Sequence, residues 1–229
     1  MKKGVLFGVG VGPGDPELMT IKAIKTIESC PCIAAPQTGG EKTLALDIAS
    51  KAVNIEDKDI IILPFLMSRD KTAVSENHKE QTELIKSRLY KGLDVAMLNL
   101  GDVSIYSTFS YIMDILQSEG YEVIMIPGVP SFCAVAAALR TGLTSMNKPL
   151  HIIPAGGMSL EEAFSLSGTK VLMKTGKAMP EVRAAVEKRG LSDKIMLVQN
   201  CGLENERICR NFNEAEDDIS YFTTMIVGE

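Results

Sequence analysis

Two rhythms of apolar and polar residues alternate along the chain: short apolar runs, and longer stretches with apolar residues three and four apart. The first predicts strands buried on both faces, the second amphipathic helices. Strands are predicted over Gly4–Val9, Ile33–Ala35, Ile60–Leu63, Asp94–Asn99 and Glu122–Ile126. Helices fall between them. One covers Glu17–Glu28, with Leu18, Ile21, Ile24 and Ile27 along one face; others cover Lys42–Val53, Ser75–Tyr90, Thr108–Ser118 and Ser131–Leu139. The stretch Thr141–Pro149 (TGLTSMNKP) is polar and broken by Gly and Pro, which marks a boundary. Beyond it, strands His151–Pro154, Lys170–Lys174 and Lys194–Gln199 alternate with helices Leu160–Leu166 and Pro180–Arg189, and strands near Arg207–Phe212 and Tyr221–Val227 follow. The alternation predicts an α/β protein of two α/β domains, residues 1–145 and 146–229, with mostly parallel sheets covered on both faces.

The length of 229 residues accommodates two small domains. With 24 Lys+Arg against 29 Asp+Glu the net charge is −5, and 45% of residues are apolar, as in an ordinary soluble protein. An acidic balance argues against general nucleic-acid binding, which relies on Lys and Arg displacing counterions. The purest apolar run, Ile60–Met67, is far short of the roughly 18 residues that a spanning helix needs. The opening MKKGVLFGVGVGPGD turns into a Gly/Pro loop with acidic residues where a signal peptide would continue apolar, and the expected location is cytoplasmic. Five cysteines (Cys30, Cys32, Cys133, Cys201, Cys209) without CxxC spacing suggest free thiols, and with only His78 and His151 beside them no metal site is expected.

The candidate chemistry sits in three loops, each directly after a predicted strand. The first is Gly8–Asp15 (GVGVGPGD), whose glycines permit close backbone approach and whose Asp15-Pro16 pair reads as a helix cap followed by proline at the first helical position. It is not a Rossmann fingerprint, because Pro13 stands where a third glycine belongs, nor a P-loop, because it lacks the Gly-Lys-Ser/Thr ending. The second is Gly101–Tyr106 (GDVSIY) and the third Pro127–Ser131 (PGVPS). In an open parallel sheet the carboxyl ends of the strands share one edge, and ligands bind there.

Taken together, GVGPGDPELMTIKA from Gly10, GDVSIYSTFSY (Gly101–Tyr111) and IPGVPSF (Ile126–Phe132) resemble the tetrapyrrole methylases, the S-adenosylmethionine-dependent enzymes of corrin and sirohaem synthesis. The likeness continues through VLMKTGK (Val171–Lys177), VQNCGLENERI (Val198–Ile208) and YFTTMIVG (Tyr221–Gly228), so it spans nearly the whole chain. MSRD (Met67–Asp70), YSTFSY (Tyr106–Tyr111), LMK (Leu172–Lys174) and the terminal Tyr221-Phe222 are most similar to the subgroup that methylates C-20 of precorrin-2 or its cobalt form. The resemblance implies two α/β domains with the cofactor in the cleft between them, and a homodimer. It implies cofactor contacts from Pro13, Gly101, Asp102, Ile105, Pro130 and Ser131 in the first domain, and from Met173 and the neighbourhood of Gly202 in the second. Val103 stands where the family commonly has Pro. Pro130 stands where it commonly has a small residue, and brings no backbone N–H.

Methyl transfer from a sulfonium needs alignment and exclusion of water more than a nucleophile or a metal, and good positioning is worth roughly 7–11 kcal/mol of barrier. The acceptor carbon must then lose a proton, to Asp102, Tyr106 or water. The tetrapyrrole carries many carboxylates, so an acidic protein needs a local basic lining; Arg69, Arg140, Lys174 and Lys177 lie in or beside predicted loops. Other readings are methylation of a different macrocycle carbon, methylation of a protein or RNA, and a nucleotide-binding regulatory module without chemistry.

Overall fold

A computed structural model describes residues 2–37, 43–216 and 219–228. The chain divides into two compact units, Met1–Pro130 and Ser131–Glu229.

In the first unit, strands β1 (Leu6–Gly10), β2 (Cys32–Gln37), β3 (Asp59–Pro64), β4 (Val95–Asn99) and β5 (Val123–Ile126) alternate with helices α1 (Ile21–Ser29), α2 (Leu44–Ala52), α3 (Lys71–Leu89) and α4 (Phe109–Ser118). The sheet order is β3-β2-β4-β1-β5, and every pairing is parallel. A parallel sheet must be buried on both faces, and β4 (VAMLN) is buried at all five positions. One face packs Val9, Ile27, Ile33, Ile48 and Leu98 together; the other packs Leu6, Leu63, Ile85, Met97, Phe109 and Ile112.

The helix starts follow local capping chemistry. Asp15 accepts a hydrogen bond from Glu17 N–H at 2.9 Å, but it caps a 3-10 turn (Pro16–Leu18) and not the long helix. Thr20 caps α1 instead, accepting from Ala23 N–H at 3.1 Å. The predicted apolar face of this helix therefore shifts: Leu18 lies before it, Ile21 is 72% exposed, and Ala23 and Ile27 face the core. Helix α3 begins four residues before its predicted start because Asp70 accepts from both Thr72 and Ala73 N–H. The predicted start of the second helix, Lys42, lies outside the described residues.

The second unit contains α5 (Ser131–Leu139), β6 (Leu150–Pro154), α6 (Leu160–Ser165), β7 (Thr169–Met173), α7 (Met179–Arg189), β8 (Ile195–Gln199), β9 (Arg207–Cys209) and β10 (Thr223–Val227). Its sheet order is β6-β7-β10-β8-β9. Parallel pairing, expected here too, holds for β6–β7; β10 runs antiparallel to both β7 and β8, and β8 antiparallel to β9. The turn after β8 is short, so β9 returns beside it as a hairpin strand, and β10 then runs in the same direction as β9 on the far side of β8. Ser159 and Glu162 form a capping box at the start of α6, and Gly190 closes α7 in a left-handed conformation (φ 61°). The core is Ile153, Leu172, Val182, Val186, Leu197, Phe212 and Met225.

The division falls after Pro130, ahead of the Thr141–Pro149 stretch where the sequence suggests it. Helix α5 packs against β8 and β10, which binds it to the second sheet. Nothing in the apolar pattern of Ser131–Leu139 indicates which sheet the helix will cover.

Gly8 lies mid-strand and serves packing: a Cβ there would stand 2.6 Å from Cε1 of Phe109, which is fully buried. Gly8→Ala is expected to lower the stability of the first unit by about 1–3 kcal/mol, the usual range for overpacking, read as a lower urea midpoint.

Candidate functional site

Three adjacent parallel strands, β4, β1 and β5, end side by side, and the three loops singled out above leave from those ends. The first two loops bind each other through backbone: Gly101 N–H donates to the Gly12 carbonyl at 2.7 Å, and Gly12 N–H to the Gly101 carbonyl at 3.2 Å. Both residues have left-handed φ, 76° for Gly12 and 72° for Gly101. The third loop presses into the same place. A Cβ on Gly10 would lie 2.6 Å from Gly128 N and 2.7 Å from the Gly101 carbonyl oxygen. Backbone therefore meets backbone at this edge.

Asp102 fastens the arrangement. Its Oδ2 accepts from Gly128 N–H at 2.8 Å, while its Oδ1 accepts from Ser104 N–H at 2.8 Å and from the Ser104 hydroxyl. Burial pushes the carboxyl pKa up, but these three hydrogen bonds outweigh it and hold Asp102 below its ordinary value. Behind it, Asn99 at the end of β4 accepts from the Ser107 hydroxyl at 2.6 Å, and Ser107 in turn accepts from Phe109 N–H at 3.1 Å. Asn99 is a buried amide ending an otherwise apolar strand. A lone polar position closing an apolar strand is the sequence signal that marks it, and it belongs to none of the three loop motifs.

Of the predicted residues in the first unit, Pro13 and Gly101 are buried, Asp102 and Ile105 half-buried, and Tyr106 46% exposed. Tyr106 holds a left-handed backbone (φ 49°), which is costly for a tyrosine and is typical of functional loops. Pro130 lies in the third loop and is half-buried. Arg69 is exposed after β3, two strands from β4, about 10 Å across the sheet.

A second set gathers within the second unit. Ser131, at the first turn of α5, shares a 3.4 Å hydrogen bond with the Thr224 hydroxyl, and Thr224 pairs directly with Met173 across the β10–β7 ladder. Met173 ends β7 and Lys174 follows with a left-handed backbone (φ 61°). Asn200, also left-handed (φ 51°), follows β8; its N–H donates to the Phe222 carbonyl at 3.0 Å and its Oδ1 accepts from the Ser220 hydroxyl at 2.6 Å. Gly202 (φ 80°) donates its N–H to Glu206 Oε2 at 2.7 Å. Thr224 carries no local motif: its partner Ser131 is 93 positions away, so the pairing is invisible before the fold is known.

Arg140 is not brought to this set. It follows the other end of α5, about 13 Å along the nine-residue helix from Ser131. The side chain of Lys177 lies outside the described residues. Among the described residues no cluster of three or more His, Cys, Asp or Glu is placed to hold a metal ion, and no helix is long and apolar enough to cross a membrane.

Residues 5–215 match the family model described as Tetrapyrrole (Corrin/Porphyrin) Methylases. The chain is 33% identical over 223 residues to the "Probable cobalt-precorrin-2 C(20)-methyltransferase" of Methanocaldococcus jannaschii, covering 94% of this chain and 93% of the relative. It is 25% identical to a precorrin-2 C(20)-methyltransferase of Sinorhizobium sp, covering 98% and 95%. The uroporphyrin-III C-methyltransferase of Thermus thermophilus, solved in complex with S-adenosyl homocysteine, has the same fold at a TM-score of 0.72 and 19% identity, covering 99% of this chain and 92% of that one.

The role of Asp102 as a clamp is open to a direct check. Asp102→Ala is expected to lower the stability of the first unit by about 1–3 kcal/mol, because it strands the Gly128 and Ser104 donors. The native pKa is lowered, so the wild-type advantage is complete above the ordinary carboxylate value of about 4 and fades as pH falls through the native value. Urea unfolding of both proteins across that range measures it.

Proposed function

The chain belongs to the tetrapyrrole methylase family, and we propose that it transfers the methyl group of S-adenosylmethionine to C-20 of precorrin-2, or of its cobalt-containing form, in cobalamin biosynthesis. The observation that carries this reading is the likeness, over nearly the full length of both chains, to a relative named for C(20) methylation.

The residues present suit such a cofactor. The meeting of Gly10, Gly101 and Gly128 leaves no side chain between main-chain segments at the carboxyl edge of the sheet, so a ligand can approach the backbone closely. Carbonyl oxygens there, each with a second lone pair, suit a cationic sulfonium without reorganising during reaction. The cofactor contacts proposed within the first unit are Pro13, Gly101, Asp102, Ile105 and Pro130, and those proposed within the second are Ser131, Met173 and Gly202. Bound there, S-adenosylmethionine supplies an electrophilic methyl group, already activated. Pro130 can offer only its carbonyl, so the donor at this corner is the Ser131 hydroxyl, oriented by Thr224.

The acceptor carbon exchanges a hydrogen for the methyl group, and one proton has to leave. Asp102 is a poor acceptor for it. Both of its oxygens already accept hydrogen bonds, and a carboxyl held below its ordinary range gives up little by staying ionised. Tyr106, exposed in the same loop, is assigned to guide the departing proton to water. Arg69 and Lys174 are the partners proposed for the substrate carboxylates. Arg140, at the far end of α5, is left out of that lining. The assembly proposed is a homodimer, read by light scattering in solution.

Incubating the protein without oxygen with S-adenosylmethionine and precorrin-2, metal-free and cobalt-loaded in parallel, tests the reaction. The expected product carries one new methyl at C-20, located by mass spectrometry and NMR. A methyl at another carbon would retain the family and overturn the position. Cofactor binding with no transfer to either macrocycle would favour a regulatory module. Tyr106→Phe is expected to lower kcat by about 100-fold, within the range for a lost proton-transfer group, with the cofactor dissociation constant unchanged.

A further inference from the structure

Tyr111 occupies the first turn of α4, the helix that begins where the Gly101–Thr108 loop ends, and its N–H donates to the Thr108 carbonyl at 3.2 Å. It is 56% exposed. Yet its ring is not a loose surface group. The His78 imidazole lies against one face, with ring centroids 4.7 Å apart and planes inclined by 20°. Phe65 also meets His78, edge-on, with ring centroids 5.7 Å apart. His78 is 7% exposed, so two buried rings back a third that opens to solvent. Burial lowers the His78 pKa, which keeps the imidazole neutral around pH 7.

The surroundings fit a flat ligand. Phe65 leads into the β3–α3 loop, where Leu66 and Met67 are exposed and Arg69 follows. Asn77 pins that loop, its Oδ1 accepting from Leu66 N–H at 2.9 Å and its Nδ2 donating to the Pro64 carbonyl at 3.1 Å. This loop leaves the carboxyl end of β3, on the same edge of the sheet as the glycine loops.

We propose that Tyr111 is a substrate-stacking residue: the conjugated tetrapyrrole lies on its open face, His78 fixes the ring from behind, and Leu66, Met67 and Arg69 meet the rim and a carboxylate. The inference rests on the methylase reading above. A tyrosine serving only the core would be buried, and one merely tolerated at the surface would not need a buried imidazole and phenyl ring behind it. With its rotamer already fixed by the stack, the tyrosine loses little conformational freedom when a second ring covers it. His78 acts through Tyr111 and is a positioning residue.

Steady-state methylation of precorrin-2 by the full chain, with S-adenosylmethionine binding measured separately by calorimetry, tests the stack. Tyr111→Ala is expected to raise KM for the tetrapyrrole about tenfold, as for the loss of an aromatic platform under a planar base, with the cofactor dissociation constant within about twofold. Tyr111→Phe, which keeps the ring, should recover most of that loss. His78→Ala should raise the same KM, and His78→Phe should restore it. A Tyr111→Ala protein with unchanged urea unfolding and wild-type tetrapyrrole KM overturns the inference, as does an equal loss in cofactor binding. If the wild-type chain itself transfers no methyl to precorrin-2, the methylase reading fails first and this surface falls with it.

Discussion

Where the loops after β1, β4 and β5 meet, there is room for main chain only. A Cβ on Gly10 would stand 2.6 Å from Gly128 N, and one on Gly128 would stand 2.8 Å from the Gly10 carbonyl carbon. Everything else in the first unit is arranged around keeping that meeting point closed. Parallel pairing brings the three strand ends to one edge, the Gly12–Gly101 bridge ties two loops, and Asp102 reaches the third. The carboxylate is the part that makes this enforceable. Without an acceptor, the Gly128 amide would have no partner in a half-buried place, and the cost of an unmet donor exceeds the worth of an average hydrogen bond.

A related device recurs in the second unit with different chemistry. Lys174 and Asn200 follow β7 and β8 in the left-handed conformation, a state that costs a non-glycine residue of order 1–3 kcal/mol. For Asn200 the offset is visible: its amide and side-chain oxygen are both taken by the Ser220–Phe222 turn. The turn in turn leads into β10, which sits between β7 and β8. Strand order and loop conformation thus support each other.

Strands and helices were legible because burial writes its period into the sequence. The fully buried β4, apolar up to its last residue, is a local signal that survives without the fold, whereas the Asp70 cap that starts α3 four residues early lies outside the apolar period and is not marked by it. The glycine loops were legible as a set, since three of them follow strands that parallel pairing must align. Other features depended on distant partners. The attachment of α5 to the second sheet, the Ser131–Thr224 bond and the antiparallel course of β10 each join segments far apart in the chain, and no periodicity encodes them. Gly8 shows the converse error: it looks like a member of the loop motif, but its missing side chain makes room for Phe109.

The position of β10 has a consequence for biogenesis. It lies at the centre of the second sheet, bonded to β7 on one side and β8 on the other, yet it follows both in the chain. Until that last strand has been made, β7 and β8 each keep an unpaired inner edge. Unpaired inner edges of that kind are templates for association with other nascent chains. The second sheet can close only once Thr223–Val227 has been made, while the all-parallel sheet of the first unit contains every strand it needs by Ile126.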